Sequence, residues 1–336
     1  MVGMTDISRA RVRLPRISSR AWEHPADRGA LTALRKLKGF DLVLRKISGV
    51  IPERMVRMNY LGSAVKVGDR QYPRIYQLYA EAGAVLDIAE LPELYVVADP
   101  HLNAMCIGMD KPIIVVNSAL VDLMDDDELR FVLGHELGHA VSGHALYRTL
   151  LLLIVGMTKS FGSIPFSGIA FRVITAGLME WQRKSELSGD RAGLLATQDK
   201  TAAIRTMLKL ASGGHLDQLD TTTFLEQARE YAATEDLRDS VLKWLLLETA
   251  SHPFAVIRAG ELQKWATSGE YVKIIGGDYP KRDDDDKATI SDEAQAAADS
   301  YSEAFAKSED AFTKLLRDVG DTVGNLRDWV IGRKRD

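Results

Sequence analysis

The chain has 336 residues, of which 46% are hydrophobic and 27% charged, and its formal net charge is -4. This length allows one large domain or two smaller ones, each with a sizeable core. The weak negative charge gives no reason to expect binding to nucleic acid. The single cysteine, Cys106, excludes an internal disulfide framework and a four-cysteine zinc site, and it is typical of a reducing compartment.

The N-terminal region is rich in arginine and lacks the apolar core of a secretory signal. We therefore predict a flexible basic arm over residues 1–29 and a cytoplasmic location, with contact to the inner face of a membrane as an option. Apolar residues at helical spacing predict a helical scaffold over residues 30–71. The run from Tyr72 to Leu86 predicts an amphipathic helix that opens the main domain, residues 72–280.

Three short β-like runs follow and predict a small sheet: Leu94 to Ala98, Ala104 to Met109, and Ile113 to Asn117. The tight connection between the last two runs predicts an antiparallel hairpin. An edge strand near Asn103 to Met109 can pair with an extended peptide, although an ordinary structural hairpin explains the pattern too. The candidate substrate-binding residues are Asn103, Ala104 and Met105.

A metal-binding pattern follows the hairpin, in the sequence His135-Glu136-Leu137-Gly138-His139. Two histidines four residues apart lie on the same face of a helix, so both imidazoles can reach one metal ion. Glu136 between them is placed to act as the base on a water held by the metal. Asp125 and Glu128 predict a capping box at the start of this helix. The alternative is a buried helix whose histidines are only hydrogen-bonded.

The segment after the motif is apolar, but its unbroken apolar run is too short to cross a bilayer. We predict buried or interfacial helices over residues 149–179, with peripheral membrane contact as an option. Small residues in the next helix, among them Gly189 and Ala192, lower its helix propensity and predict close approach of another helix. The end of the chain, residues 281–336, is predicted to be an acidic loop followed by a helical, partly disordered tail.

A catalytic zinc commonly has three protein ligands and an open position. Candidates for the third ligand are Glu186, Asp190, His144 and His252, and less plausibly His215 and His101. Glu186 is favoured because the small neighbours of its helix allow tight packing against the motif helix. Asp190, one turn later, is placed to accept the free ring N–H of a ligand histidine. A pair of surface carboxylates is the alternative. On a continuous helix His144 lies about 140° further round than His139, which disfavours it.

Three motifs together resemble, in order and spacing, the zinc metallopeptidases of the HtpX and CAAX prenyl protease family. They are His135-Glu-Leu-Gly-His139, Glu186-Leu-Ser-Gly-Asp190, and Ser251-His252-Pro253 followed by Arg258. The resemblance covers residues 72–276. It implies a gluzincin-like core with one Zn²⁺ per chain, in which two helices carry the ligands His135, His139 and Glu186. The overall fold class is predicted to be mainly α with a small antiparallel β-sheet (α+β).

The resemblance also implies roles for the other residues of these motifs. Glu136 corresponds to the catalytic base, His252 to the histidine that stabilises the transition state, and Arg258 to the arginine that pairs with the glutamate ligand. Asp190 corresponds to the aspartate behind the ligands. This chain departs from the family at Gly189, where alanine is usual, and in having no strongly apolar transmembrane helices.

The predicted function is that of a zinc-dependent endopeptidase acting on a peptide or an unfolded protein. The peptide is expected to lie along the edge strand near Asn103 to Met109. One alternative is a membrane-associated protease of protein quality control. Another, from a different class, is an inactive zinc-binding scaffold.

Overall fold

The computed structural model describes residues 10–37, 40, 53–161, 169–233 and 254–303, without the side chains of 156–173 and 287. The helices are α1 (Pro25–Lys36), α2 (Glu53–Ser63), α3 (Pro73–Val85), α4 (Ser118–Leu123), α5 (Asp126–Val141), α6 (His144–Phe161), α7 (Ile169–Thr197), α8 (Lys200–Ser212), α9 (Thr221–Ala233), α10 (Ala255–Thr267), α11 (Gly269–Ile275) and α12 (292–303). The strands are β1 (Val65–Lys66), β2 (Glu93–Val97), β3 (Ala104–Ile107) and β4 (Ile113–Asn117). The predicted mainly helical fold with a small sheet is confirmed.

The sheet has the strand order β1-β2-β4-β3. The predicted hairpin is present, since β3 and β4 pair antiparallel with Ala104 opposite Val116. The prediction of a purely antiparallel sheet is wrong, because β2 and β4 pair in parallel. All five residues of β4 are buried, which suits the interior position that this strand takes between β2 and β3. β3 is left at the edge of the sheet.

Helices α5 and α7 form the centre of the molecule, and they approach one another through small residues. A Cβ atom added to Gly134 would lie 2.3 Å from the Cβ of Ala196, and one added to Gly138 would lie 2.4 Å from the Cβ of Ala192. The two backbones can lie this close only because the glycines have no side chain. The predicted close approach of a second helix is therefore present, and it brings the two motif helices face to face.

The start of α5 is set by a capping box, as predicted. The backbone N–H of Glu128 donates to Asp125 Oδ1 at 2.9 Å, and the backbone N–H of Asp125 donates to Glu128 Oε2 at 2.9 Å. Arg205 and Lys209 of α8 hold the buried Glu128 carboxylate at 2.9 and 2.6 Å. These contacts anchor the first turn of α5 to α8.

The segment predicted as a flexible arm, residues 1–29, is folded from residue 10 onwards, so that prediction is wrong there. Leu14, Ile17 and Trp22 are fully buried in the main core. The indole N–H of Trp22 donates to Ser142 Oγ at 3.1 Å. The many arginines of this segment favoured a solvated arm. The apolar residues between them nevertheless pack into the core, which the composition of the segment does not indicate.

The N-terminal segment also contacts the region after residue 281. The predicted acidic loop forms a short 3₁₀ helix, in which Asp285 accepts hydrogen bonds from Ser18 at 2.6 Å and Arg20 at 2.7 Å. A Cβ atom added to Gly29 would lie 2.5 Å from the Cβ of Ala297, which shows how closely α1 and α12 pack. The ends of the described chain therefore support one another.

The apolar segment after the motif forms much of α6 and part of α7. Leu150, Leu151 and Ile154 are buried in a second core cluster together with Leu178 and Trp181. Leu152 is exposed. Within the described ranges, no helix combines the length and the apolar character needed to span a membrane.

Candidate metal centre

Three side chains from α5 and α7 converge at the centre of the molecule. Within the described part of the chain, His135, His139 and Glu186 form one group whose ligand atoms all lie within 4.8 Å of one another. The Nε2 atoms of the two histidines are 3.0 Å apart, and the Glu186 oxygens lie 3.4 Å from His135 Nε2 and 3.5 Å from His139 Nε2. All three side chains are buried.

This donor set fits a zinc ion. Two imidazole nitrogens and one carboxylate are a common ligand set of catalytic zinc. Atoms bound at about 2.0–2.1 Å to one tetrahedral ion lie roughly 3.3 Å from one another. The two imidazole nitrogens are 3.0 Å apart, and each lies 3.4–3.5 Å from one of the two Glu186 oxygens, so the separations are close to that value. One ligand atom from each of the three residues can therefore reach a single ion.

His135 is held from behind by a charged pair. Its Nδ1 atom lies 3.0 Å from Asp190 Oδ1. Arg258 of α10 donates to both oxygens of Asp190, at 2.8 and 2.6 Å, and its Nη1 atom lies 3.2 Å from Glu186 Oε2. One guanidinium thus links the partner of His135 to the third member of the metal-binding group.

His139 is held by a different set of groups. Its Nδ1 atom lies 2.9 Å from the Nδ1 atom of His144, the first residue of α6. The Nε2 atom of His144 lies 3.1 Å from Asp27 Oδ2. Gly143, with φ +70°, separates α5 from α6, so His144 is not on a continuation of the motif helix. The break turns His144 towards the back of His139.

The electrostatic environments of the two histidines differ. Burial disfavours protonation of His135, but its hydrogen bonds to Asp190 and Glu186 outweigh burial and raise the pKa to about 9. Burial, followed by the nearby Arg148, holds the pKa of His139 well below its usual value of 6.5. The surroundings of His135 therefore favour a proton on its ring, whereas those of His139 disfavour one.

Glu136 and Arg148 complete the polar interior. Glu136 is buried, and among the described residues its Oε2 atom has no hydrogen-bond partner. Arg148 of α6 is buried as well, with its guanidinium nitrogens 3.7 Å from Glu136 Oε2 and 3.3 Å from Glu186 Oε1. A buried carboxylate with an oxygen left for a further partner is suited to take and release a proton.

A cleft of about 600 Å³ opens onto this group, and His135, Glu136 and Glu186 form its polar end. Asn103 and Ala104 contribute to its wall. Apolar side chains make up most of the remainder: Leu102, Leu120, Phe131, Val132, Leu208 and Phe224. The cleft therefore joins the metal-binding group to the start of the edge strand β3.

The predicted site residues are brought together to different degrees. Met105 points away from the cleft and packs against the cluster of Tyr95 and Val115 on the other face of the sheet, so only its backbone can contact a peptide there. His252 lies outside the described residues. His144 is absent from the metal-binding group, as expected. The reason differs from the one given above, because α5 ends before His144 and a new helix, α6, begins there.

Two groups at the centre were not found by sequence reasoning, namely Arg148 and Asp27. A helical projection from His144 would have placed Arg148 on the same face of α6, four residues further on. Asp27 had no signal, because it lies in a segment interpreted as an arm. These geometric features, with three candidate ligands on two helices, are those of a zinc-dependent metallopeptidase, which is the class of protein that the site indicates.

Comparisons with known proteins agree. The model of Peptidase family M48 matches residues 69–266. The chain is 32% identical over 293 residues to the plastoglobule-localized metallopeptidase 48, chloroplastic, of Arabidopsis thaliana, which covers 81% of this chain and 83% of that protein. It is 25% identical over 223 residues to a protease HtpX homolog of Pseudarthrobacter chlorophenolicus, covering 60% and 76%. A protease HtpX homolog of Bacillus subtilis is 28% identical over 167 residues, covering 41% and 55%.

The chain therefore belongs to peptidase family M48. It is a zinc metalloprotease that hydrolyses peptide bonds, as predicted from the three motifs. Its donor group in the structure is suited to one metal ion.

Proposed function

We propose that His135, His139 and Glu186 hold the zinc ion and that Glu136 is the catalytic base of an endopeptidase. The observation that carries this assignment is the convergence of the buried His135, His139 and Glu186, together with a cleft that is lined by His135, Glu136 and Glu186. Asp190 and Arg258 position the ligands from behind. His252 stays our predicted donor to the transition state, on the resemblance of its motif alone.

Bound zinc supplies a Lewis acid that polarises the scissile carbonyl and lowers the pKa of water. Glu136 takes the proton of the attacking water and then passes it to the nitrogen of the leaving amine. Arg148 lies between Glu136 and Glu186, 3.7 and 3.3 Å from their carboxylates, and its positive charge offsets the repulsion between them. Burial of these groups excludes bulk water, which strengthens the electrostatic contacts among them.

The cleft supports a proposal for the substrate. A peptide or an unfolded protein would lie extended beside the start of β3, where Asn103 and Ala104 border the cleft. The far end of β3 is covered, since the Gly108 N–H donates to Thr149 Oγ1 at 2.8 Å. The apolar walls favour apolar side chains next to the cleaved bond. Cleavage sites rich in leucine or phenylalanine would agree with this.

We propose a cytoplasmic location, which is supported by the single, buried Cys106. The Arabidopsis relative is localized to plastoglobules by its name, so association with a lipid surface is the alternative for this chain. Separation of cell extracts into soluble and membrane fractions would distinguish the two locations. Extraction of the protein by carbonate would distinguish peripheral contact from insertion.

The role of Glu136 is tested by Glu136→Gln. Glutamine keeps the shape of the side chain but cannot accept the proton, so we expect zinc content to stay at one ion per chain while hydrolysis of a casein substrate falls by at least ~100-fold. His139→Ala is the matched variant, for which both zinc content and activity are expected to fall. Full activity of Glu136→Gln would overturn the mechanism.

A further inference from the structure

We propose that Asp27, acting through His144, determines which ring nitrogen of His139 carries the proton and so prepares His139 to bind the metal. This inference rests on the proposed role of His139 as a zinc ligand. Asp27 and His144 are positioning residues, because neither belongs to the metal-binding group itself. Asp27 lies in α1, before residues 69–266, which match the family model.

The contacts form an unbroken chain from the metal-binding group to α1. His139 Nδ1 lies 2.9 Å from His144 Nδ1, and His144 Nε2 lies 3.1 Å from Asp27 Oδ2. All three residues are at most 2% exposed. Water therefore does not compete for these contacts, and the polar atoms must satisfy one another.

Only one arrangement of protons suits both these contacts and a metal ion. A neutral His139 can bind metal through Nε2 only if its proton is on Nδ1. Its Nδ1–H then donates to His144 Nδ1, which must accept. The proton of a neutral His144 is therefore on Nε2, where it donates to Asp27 Oδ2. Because an ionised carboxylate can only accept, Asp27 fixes the direction of the whole chain.

Asp27 is itself held in place by neutral donors. The indole N–H of Trp181 donates to Asp27 Oδ1 at 2.9 Å, and Ser188 Oγ donates to Asp27 Oδ2 at 2.6 Å. Ser188 and Trp181 both belong to α7, the helix that carries Glu186. The carboxylate thus has a fixed orientation towards His144, and its acceptor atoms are in use.

The first test is Asp27→Asn. An asparagine that turns its amide group to His144 donates to His144 Nε2, and the proton of His144 moves to Nδ1. His144 then donates to His139 Nδ1, so the proton of His139 moves to Nε2, where zinc should bind. We expect the zinc affinity of the full chain, measured by competition with a fluorescent zinc chelator, to fall ~10–100-fold.

Two further variants separate positioning from general stability. Glu128→Gln changes another buried carboxylate, at the start of α5, and is expected to lower stability while it leaves zinc affinity unchanged. His144→Ala removes the intermediate residue. In that background Asp27→Asn should cause no further loss of zinc affinity, because its effect passes through the imidazole. An equal loss with and without His144 would overturn the proposal.

A measurement on the unmodified protein keeps the proposal testable if Asp27→Asn does not fold. Nitrogen-15 NMR of the zinc-loaded chain with labelled histidine is expected to show His139 protonated at Nδ1 and His144 protonated at Nε2. A His144 proton on Nδ1 would contradict the proposal. If the wild type binds zinc no better than His139→Ala, the proposed zinc site itself fails. If only His139→Ala loses affinity and Asp27→Asn does not, this inference alone fails.

Discussion

The two histidines of the motif lie one turn apart on α5, yet the groups behind them differ in kind. His135 is backed by Asp190, which forms two hydrogen bonds with the buried Arg258. His139 is backed by His144 and Asp27, and among the described residues no lysine or arginine forms an ion pair with that aspartate. The first support is a carboxylate paired with an arginine, and the second is an imidazole that contacts a carboxylate in the N-terminal segment.

The difference concerns two properties of a ligand histidine: whether its ring is protonated, and which ring nitrogen carries the proton. Charge near His135 favours the protonated ring. At His139 burial and Arg148 disfavour protonation, and the ring needs only the correct tautomer. Equivalent positions in a motif are therefore not equivalent in their chemistry, and substitutions behind them should have different effects.

The largest expected effect is a loss of folding stability in Asp190→Asn, which should exceed the loss in Asp27→Asn. The first change leaves the Arg258 charge buried with fewer acceptors, which commonly costs about 3–5 kcal/mol. The second places an amide N–H₂ group where the Asp27 carboxylate accepted hydrogen bonds from neutral side chains, and it should cost about 1–3 kcal/mol of stability. Urea unfolding of both variants without zinc measures the difference. Equal losses would show that the two supports do not differ in the way their contacts suggest.

A smaller effect is expected from Gly189→Ala, which acts on the His135 side alone. The added Cβ would lie 2.6–2.9 Å from atoms of the His135 ring, so the ring must move away from α7. We expect a loss of about 1–3 kcal/mol in stability and a weaker zinc-dependent rise in the melting temperature.

The matched control is Gly62→Ala on α2, where an added Cβ meets nothing within 4 Å. It should leave stability unchanged or raise it by up to about 1 kcal/mol. Gly189 stands where the resembling family usually has alanine. Unchanged zinc binding in Gly189→Ala would mean that the ring adjusts freely and that the support of His135 is less rigid than its contacts indicate.

The parts of the site that sequence alone predicted are those with local causes. The capping box at Asp125 and Glu128 is a short-range pattern, and the four-residue spacing of the histidines follows directly from helix geometry. The close approach of α5 and α7 was predictable because small residues in mid-helix need a packing reason.

The parts that were missed depend on contacts between distant segments. Asp27 reaches His144 across more than a hundred residues, and no local pattern marks it. The contact between His144 and His139 was missed because a continuous helix was assumed, whereas Gly143, with φ +70°, separates α5 from α6. The parallel pairing of β2 with β4 was also missed. Strands that follow one another in sequence commonly pair as antiparallel hairpins, so a pairing that passes over β3 was not expected.

The smallest expected effect concerns the pH dependence of the N-terminal support. His24 precedes α1, and its Nδ1 accepts from the Ala26 N–H at 3.1 Å. Burial, followed by the nearby Arg191, lowers the pKa of His24 to about 4. Because the unfolded chain takes up this proton near pH 6.5, the stabilisation is complete above that pH and is lost as the pH falls towards 4.

Between pH 7 and pH 5.5 this single group should remove about 1 kcal/mol of stability. His24→Asn keeps a side-chain acceptor at the start of α1 but does not titrate in this range, so its unfolding free energy should fall less over the same interval. Urea unfolding of both proteins with a chelator present, at the two pH values, measures the difference. Parallel pH profiles would show that His24 is protonated as readily in the folded chain as in the unfolded one. The start of α1 would then hold Asp27 in place independently of pH.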